Sequence, residues 1–297
     1  MPASNANKTR GEKNSSITRV RPFFRYLFDL DASGLSWLPQ LIVSAQSKHI
    51  NASNLANLSC KINSQCQVKR NYKDKILGNI ELEHCFEYSV PPSYVFLHWL
   101  IEHPGKLTWP KHGQKERKYC LSTQLNRENL FGKQDRRKQS EAKQNATNLL
   151  DLKGVQGSKR KWWAFEGFTE VDCLLKTEDF LLGIEGKRME KVSSATDWYP
   201  RRNQIIRNLE VIKEIAGNKD YAILLMCEDG IDPISDADFT SGLTHYTSQA
   251  IAEIRTHYLG AVSWRQACDA VGLDYNELPD TIQDVCKCLE ISKTKTK

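Results

Sequence analysis

Between residues 134 and 227 the hydrophobic pattern alternates between the spacing of a helix and that of a strand, and this alternation constrains the fold more than any other feature. The pattern predicts six elements in chain order. They are a helix over 134–150, strands over 160–165, 168–176 and 180–187, a helix over 197–216 and a buried strand over 221–227. Helices and strands in this order are typical of an α/β protein, and we expect a mixed central sheet flanked by helices.

The rest of the chain divides around this core where the composition changes. Residues 1–18 are rich in Ser, Asn, Thr and Lys without periodicity and are predicted to form a disordered tail. Residues 19–133 are predicted to form an α-rich N-terminal region that ends in a long basic loop. The core itself is expected to extend over 134–240, and C-terminal helices are expected over 241–297.

The charge distribution suggests a polyanionic partner. The net charge is +6, but residues 106–161 contain fifteen Lys or Arg and five Asp or Glu, whereas residues 219–290 contain four and thirteen. A segregated basic region is typical of nucleic-acid-binding proteins, although a solvated charged surface also explains many such runs. The charge distribution is therefore compatible both with a nucleic acid as partner and with an ordinary solvated surface.

The chain lacks the patterns of a membrane or secreted protein. No run of apolar residues reaches the roughly 18 residues of a membrane span, and the N-terminus lacks an apolar secretory signal. Nine cysteines without a Cys-x-x-Cys pair favour reduced thiols over a structural zinc site. We expect a cytoplasmic protein with no membrane partner.

Two acidic residues and a lysine occur on neighbouring predicted strands. Asp172 lies on the second strand of the core, and Glu185 and Lys187 lie on the third. Because side chains alternate faces along a strand, Glu185 and Lys187 project to the same side. The short connection over 177–179 predicts a hairpin, which can bring both carboxylates and the ammonium group to one end of the sheet.

This combination of side chains suits metal-dependent hydrolysis of a phosphodiester. Two neighbouring carboxylates repel each other unless a cation lies between them, and Mg²⁺ or Mn²⁺ is the hard ion that prefers oxygen ligands. Such an ion lowers the pKa of water and screens phosphate charge. We expect Asp172 and Glu185 to be metal ligands and Lys187 to stabilise the transition state. An ordinary hairpin edge with a Glu185–Lys187 surface pair is the alternative explanation.

Asp172, twelve intervening residues and Glu185-Gly-Lys187 together resemble the signature of the PD-(D/E)XK nucleases, also called the restriction-endonuclease-like superfamily. The resemblance covers residues 134–229, and a helix–three strands–helix–strand order is the αβββαβ core of that family. It implies a metal-dependent nuclease. The sequence departs from the family's "PD" dipeptide, where Val171 replaces the proline.

The resemblance implies three further site positions. Family members often place an acid on the first core helix near the metal, and Glu141 is the matching residue. Many have a polar residue on the helix after the Glu-x-Lys strand, where this chain has Gln204. The carbonyl of the residue between the acid and the lysine, here Gly186, is often a metal ligand as well.

Basic residues flank the motif on both sides. Three precede it and three follow it: Lys159, Arg160, Lys161, Arg201, Arg202 and Arg207. We expect them to contact the phosphate backbone, because basic residues around such a site neutralise its charge. Trp162 or Trp163 could stack on a base or pack in the core, and the sequence leaves both readings open.

The function expected from the sequence is that of a Mg²⁺- or Mn²⁺-dependent nuclease acting on ester bonds, mainly in DNA. Two alternatives from other classes remain. One is a non-cleaving nucleic-acid-binding accessory protein with a nuclease-like core. The other is an unrelated α/β protein whose basic surface binds another protein. A homodimer is compatible with cleavage of both strands of a duplex, since that often uses two active sites.

Overall fold

A computed structural model of the chain describes residues 14–45 except 33 and 35, together with 86–107, 125, 128–130, 135–153, 168–176, 180–196 and 199–285. A π-helical segment, Ser16–Val20, leads directly into the first α-helix. The α-helices are α1 (Arg21–Leu30), α2 (Leu38–Val43), α3 (Tyr94–Glu102), α4 (Arg136–Lys153), α5 (Gln204–Ala216), α6 (Asp236–Gly242), α7 (Ser248–Arg255) and α8 (Trp264–Val271). The strands are β1 (Phe86–Val90), β2 (Thr169–Lys176), β3 (Phe180–Gly186), β4 (Asp220–Cys227) and β5 (Tyr258–Ser263).

The strands form one mixed sheet in the order β1-β2-β3-β4-β5. β1, β2 and β3 pair antiparallel, β4 pairs parallel to β3, and β5 pairs parallel to β4. Parallel neighbours need a crossover connection. α5 lies in the crossover between β3 and β4, and α6 and α7 lie in that between β4 and β5. The expected α/β class with a mixed sheet and helices is therefore confirmed.

The central strands are buried on both faces, which explains their nearly continuous apolar sequences. On one face of the sheet they pack in a hydrophobic cluster with α1, α2 and α8. On the other face they pack in a second cluster with α5 and α6. α3 and α4 form a third cluster with Tyr199. The first two clusters fix the sheet between two helical layers.

α5 packs closely on β3 because a glycine makes room for it. A Cβ atom at Gly183 would lie 2.1 Å from Cδ1 of Ile212 on the helix. The helix begins where the side chain of Asn203 accepts a hydrogen bond from the N–H of Ile205, and it ends at Gly217, whose φ is 60°. This close packing brings the N-terminal half of α5 beside the C-terminal end of β3.

The prediction of a disordered tail over residues 1–18 is wrong from residue 14 onward. Ser15, Ser16 and Thr18 are buried, and the Thr18 hydroxyl donates a hydrogen bond of 2.7 Å to the carbonyl of Asn14. Because Glu87 accepts a hydrogen bond from the Ser16 hydroxyl and the Asn14 carbonyl accepts one from the Thr18 hydroxyl, a polar sequence can pack against the sheet here. Residues 1–13 lie outside the described residues.

Two strands appear where helices were expected. β5 falls within the C-terminal region predicted to be helical, and β1 falls within the α-rich region over 19–133. A short and mostly apolar run such as Tyr258–Ser263 does not distinguish a strand from a helix by its periodicity. The strand predicted over 160–165 and the connection over 177–179 lie outside the described residues. Among the described residues, the strand that pairs with the edge of β2 opposite to β3 is β1.

Cys173, Cys227 and Cys268 are buried. Within the described ranges, every helix is too short or too polar to cross a membrane.

Candidate active site

Glu185 lies near the C-terminal end of β3 with its carboxylate toward α5. The residue is 1% exposed, and its Oε1 accepts hydrogen bonds from Lys187 Nζ at 2.7 Å and Gln204 Nε2 at 2.6 Å. Its Oε2 accepts from Asn208 Nδ2 at 2.9 Å. A buried carboxylate is tolerated when it is hydrogen-bonded in this way. Glu185, Lys187 and Gln204, three residues selected from the sequence, are thus in direct contact.

Lys187 is fixed through its backbone as well as its side chain. Its N–H donates to the carbonyl of Met226 at 2.7 Å, and its carbonyl accepts from Nε1 of Trp264 at 3.0 Å. Burial by itself would lower the pKa of Lys187, but the carboxylates of Glu185 and Asp172 outweigh that effect and raise it. The ammonium group therefore stays charged at neutral pH.

Asp172 is partly buried on β2 and is tied to the end of β3. Its Oδ2 accepts a hydrogen bond of 2.8 Å from the backbone N–H of Gly186, the residue between the acid and the lysine. Lys187 lies close enough to act on the pKa of Asp172. The sheet therefore collects the two acids and the lysine at one end, as the hairpin geometry predicts.

The regular alternation of side chains breaks beside Asp172. Cys173 packs in the cluster with α1, whereas Val171, two residues away, packs in the cluster with α5. On β1, Glu87 lies between the residues that pair with Cys173 and Val171, and its φ is 51°. A positive φ is unfavourable for a residue with a side chain, and such strain is concentrated at functional sites.

Ionisation of both acids is disfavoured at this end of the sheet. The pKa of Asp172 is raised to about 6, chiefly by burial and with smaller increases from the carboxylates of Glu190 and Glu87, against the opposing effects of the Gly186 N–H and Lys187. The pKa of Glu185 is raised to about 8, again chiefly by burial and next by Asp172, against the opposing effects of Lys187 and Asn208. Carboxyl groups with raised pKa values favour a cation between them.

Both acids retain oxygen atoms that a hard cation could use. Among the described residues, none donates a hydrogen bond to Oδ1 of Asp172, and Oε2 of Glu185 accepts a single bond although it has two lone pairs. Within the same part of the chain, no group of three or more His, Cys, Asp or Glu side chains is arranged to hold a metal ion. A cation here would therefore depend on two carboxylates, a carbonyl such as that of Gly186, and water, which suits Mg²⁺.

Gly186 is required for close packing at this point. A Cβ atom on it would lie 2.4 Å from Cγ2 of Val20 and 3.2 Å from Cζ2 of Trp264. The N-terminal segment and α8 thus cover β3 directly beneath the candidate site. The sequence predicts a role for the Gly186 carbonyl, and the packing gives an independent reason for a glycine here.

Sequence reasoning missed three residues of the site. Asn208 lies one helical turn after Gln204 on the buried face of α5, so a polar residue among Ile and Leu at that spacing was a usable signal. Glu87 lies on a strand that the pattern did not predict. Glu190, whose Oε1 accepts from the N–H of Ser15 at 3.3 Å, depends on an N-terminal segment predicted to be disordered.

Glu141, the acid assigned to the first core helix, does not join Asp172 and Glu185. Its side chain is exposed on α4 and forms an ion pair of 3.0 Å with Arg137 one turn earlier. The buried face of α4 packs against α3 rather than against the sheet. The acids that act on Asp172 are Glu87 and Glu190 instead.

The predicted phosphate contacts are only partly compatible with the structure. Arg202 is fully buried, and its Nη1 lies 2.6 Å from Oε2 of Glu210, so the prediction that Arg202 contacts phosphate is wrong. Arg201 is exposed and Arg207 is partly buried. Lys159, Arg160 and Lys161 lie outside the described residues, as do Trp162 and Trp163.

The fold and the site define an α/β protein in which a hydrogen-bonded cluster of two acids, a lysine and two amides lies at the end of a mixed sheet. Comparisons with protein-family models, curated proteins and solved structures found no match to this chain.

Proposed function

We propose that this protein is a Mg²⁺- or Mn²⁺-dependent nuclease with DNA as its preferred substrate and with a PD-(D/E)XK-type core. The observation that carries the proposal is the contact of Glu185 with Lys187 and Gln204, beside Asp172. α4, β2, β3, α5 and β4 follow one another in the order that the resemblance implies, with β4 parallel to β3. β1 departs from that order, because it pairs beside β2 but precedes α3 and α4 in the chain.

The two acids would hold the cation through their free oxygen positions, and the Gly186 carbonyl would be a third ligand. When bound, the ion supplies Lewis acidity and lowers the pKa of water near the phosphate. Gln204 and Asn208 hold the Glu185 carboxylate in place from the side of α5. The site is therefore preorganised before a substrate arrives.

Lys187 would act electrostatically rather than as a base. Its raised pKa keeps the ammonium group protonated, so it does not accept a proton at neutral pH. A fixed positive charge beside the acids can orient the attacking water and stabilise the extra negative charge of the phosphate at the transition state. A side chain that is only 12% exposed also reorganises little during the reaction.

The acids also bear on the choice between cleavage and simple binding. In their ionised forms, two neighbouring carboxylates repel a phosphate unless a cation is present, so a protein that only binds nucleic acid gains nothing from them. Arg201, which is exposed three residues before Gln204, adds a positive charge near the N-terminus of α5. We therefore favour the nuclease over the accessory protein.

A cleavage assay with a panel of substrates tests the proposal. Single-stranded, duplex and branched DNA and RNA are incubated with the purified chain in Mg²⁺, Mn²⁺ or EDTA. We expect cleavage that requires the metal, with DNA cut faster than RNA. Asp172→Asn and Lys187→Ala should each reduce the cleavage rate by at least about 100-fold while leaving DNA binding nearly unchanged.

The chain offers matched controls for both substitutions. Glu170→Gln removes an exposed carboxylate from the same strand as Asp172, and Lys176→Ala removes an exposed lysine from the opposite end of β2. Both variants should cleave like the wild-type protein. Metal-independent binding of nucleic acid without cleavage would contradict the nuclease and support the accessory protein, and a failure to bind any nucleic acid would support the unrelated α/β protein.

A further inference from the structure

A buried relay of hydrogen bonds leads from Thr169 on β2 through Asn208 on α5 to Glu185. The hydroxyl of Thr169 donates to Oδ1 of Asn208 at 2.8 Å, and Nδ2 of Asn208 donates to Oε2 of Glu185 at 2.9 Å. Thr169 is 5% exposed, and Asn208 is fully buried. Neither residue belongs to the acid–lysine motif, and Thr169 lies at the start of its strand.

The two hydrogen bonds of Asn208 determine which way its amide points. An amide has a donor end and an acceptor end of nearly equal size, and only the donor end can face a carboxylate without repulsion. The Thr169 hydroxyl can donate its proton to the Asn208 oxygen, and this leaves the NH₂ group facing Glu185. An unsupported amide at this buried position would lose a hydrogen bond and could rotate.

Glu185 is thereby held at both oxygen atoms. Lys187 and Gln204 fix Oε1, and Asn208 fixes Oε2, so the plane of the carboxylate is set from two sides. Since Oε2 has one lone pair left, the orientation of this plane decides where that lone pair points. Among the described residues, Asn208 is the one that bonds to this oxygen.

We propose that Asn208, oriented by Thr169, is a positioning residue that aims Oε2 of Glu185 at a divalent cation shared with Asp172. The inference rests on the proposed nuclease function and adds to it residues that do not touch the substrate. Hydrogen-bond partners behind a metal ligand typically change metal affinity or activity by about 10–100-fold when they are removed.

The test is the dissociation constant of Mn²⁺, measured by the loss of the electron paramagnetic resonance signal of the free ion. Thr169→Val keeps the shape of the side chain and removes the donor, so it should weaken Mn²⁺ binding by about 10–100-fold. Thr169→Ser keeps the donor and should bind like the wild-type protein. Asn208→Ala should weaken binding at least as much as Thr169→Val.

A double variant separates positioning from simple packing. If Thr169 acts only through Asn208, the combination of Thr169→Val with Asn208→Ala should bind Mn²⁺ no more weakly than Asn208→Ala alone, because the second change removes nothing further. Independent, additive losses of affinity would overturn the relay. Thermal unfolding midpoints of all variants are measured in parallel to show that each is folded.

Thr196→Val is the matched control, because it removes a hydroxyl that bonds to the carbonyl of Tyr199 and not to the relay. Any effect of this substitution should be confined to the thermal unfolding midpoint, and the Mn²⁺ affinity should be unchanged. Unchanged affinity in folded Thr169→Val and Asn208→Ala would overturn the relay while leaving the nuclease proposal intact. A wild-type protein that binds no Mn²⁺ would instead overturn the proposed function itself, and the relay with it.

Discussion

Asp172 and Glu185 are acids held at positions where their ionised forms are unfavourable. Burial is the main cause in both residues, and neighbouring carboxylates add to it. A protein selected for stability alone would replace such residues with neutral ones, since most sites of this kind trade stability for function. Residues of this type are therefore informative about activity even before a ligand is known.

Replacement of Asp172 by asparagine should stabilise the metal-free protein at alkaline pH. The pKa of Asp172 in the folded chain is about 6 against an ordinary value of 3.8, so the folded state binds the proton more tightly than the unfolded state. The contribution of this group to stability falls as the pH rises from about 4 through about 6. Above about pH 6 the folded protein carries the full cost of ionising the buried carboxyl. Asp172→Asn should then raise the free energy of unfolding in EDTA at about pH 8 by up to 3 kcal/mol.

Urea unfolding at acidic and alkaline pH measures this difference. The gain from Asp172→Asn should shrink toward about pH 4, where the wild-type carboxyl is largely neutral. Exposed Glu170→Gln serves as the charge control and should change the free energy of unfolding little at either pH. A loss of stability in Asp172→Asn at alkaline pH would show that the carboxylate is stabilised in the folded protein, contrary to the pKa argument.

The candidate residues differ in how far the sequence could identify them. Glu185 lies near the end of β3, Lys187 follows directly after that strand, and Gln204 begins the next helix, so local spacing was enough to select them. Arg202 illustrates the opposite case, because nothing in the local sequence distinguishes it from its neighbour Arg201. Its burial depends on Glu210 and on Phe96, whose ring centroid lies 3.7 Å from the guanidinium carbon of Arg202. A contact between residues that are far apart in the sequence cannot be predicted from the local spacing of hydrophobic residues.

At the scale of elements, α5 carries two different polar clusters. Its N-terminal half contacts the site through Gln204 and Asn208. Further along, buried Glu210 accepts a hydrogen bond from Ser93, the N-cap of α3, and lies 2.6 Å from both Arg202 and His245. This second cluster fastens α3 and the segment after α6 to α5. It thereby fixes the helix that orients Glu185.

Glu210→Gln should destabilise the protein at neutral pH and alter its acid response. Burial alone would raise the pKa of Glu210, but Arg202 and His245 outweigh it and lower the pKa to about 2. A lowered pKa in the folded state contributes stability that is present above about pH 4.5 and is lost as the pH falls through about 2. Removing the charge leaves Arg202 buried without its anion, which should cost about 3–5 kcal/mol at pH 7.

Urea unfolding of Glu210→Gln at neutral and acidic pH checks this prediction, with exposed Glu253→Gln on α7 as the control. The stability difference between Glu210→Gln and the wild-type protein should narrow as the pH falls toward about 2. Equal free energies of unfolding for the two proteins at neutral pH would mean that the ion pair of Glu210 with Arg202 contributes nothing to stability.

The elements themselves were predictable where they were long and strongly periodic. α4, β2, β3, α5 and β4 were anticipated, although α5 begins at Gln204 rather than near residue 197. β1 was missed although Phe-Glu-Tyr-Ser-Val has the apolar/polar alternation of a strand, because the run is only five residues long, and β5 was missed because its apolar run is too short to show a period. Both strands are selected by pairing with residues far away in the sequence.

At the scale of the whole molecule, the sheet collects groups that are far apart in the chain. Glu87 on β1, Asp172 on β2, Glu185 on β3 and Asn208 on α5 meet at one end of it. The strand order places β1 beside β2 although about 80 residues separate them. No window of local sequence contains this site, and for this reason the contribution of Glu87 could only be seen in the fold.

The overall charge leads to a prediction about nucleic-acid binding. Arg201 is exposed just before α5, whereas Arg202 is buried, so only the former is available to phosphate. Arg201→Ala should weaken DNA binding and reduce the slope of log affinity against log salt by about 1. Lys219→Ala, exposed beyond the other end of α5, is the matched control.

Fluorescence anisotropy of labelled duplex DNA over a range of salt concentrations measures both slopes. An unchanged slope in Arg201→Ala would remove this arginine from the interface. An equal reduction in Lys219→Ala would show that binding depends on net charge rather than on a surface beside the site.

The proposed function requires that Asp172 and Glu185 together bind one divalent cation. Anomalous diffraction from crystals of the protein grown with Mn²⁺ would locate that ion. We predict a single strong peak within about 2.5 Å of an oxygen of each carboxylate, and its absence from crystals of Asp172→Asn. Well-ordered carboxylates with no peak between them at saturating Mn²⁺, or a peak bound only elsewhere on the chain, would contradict the account.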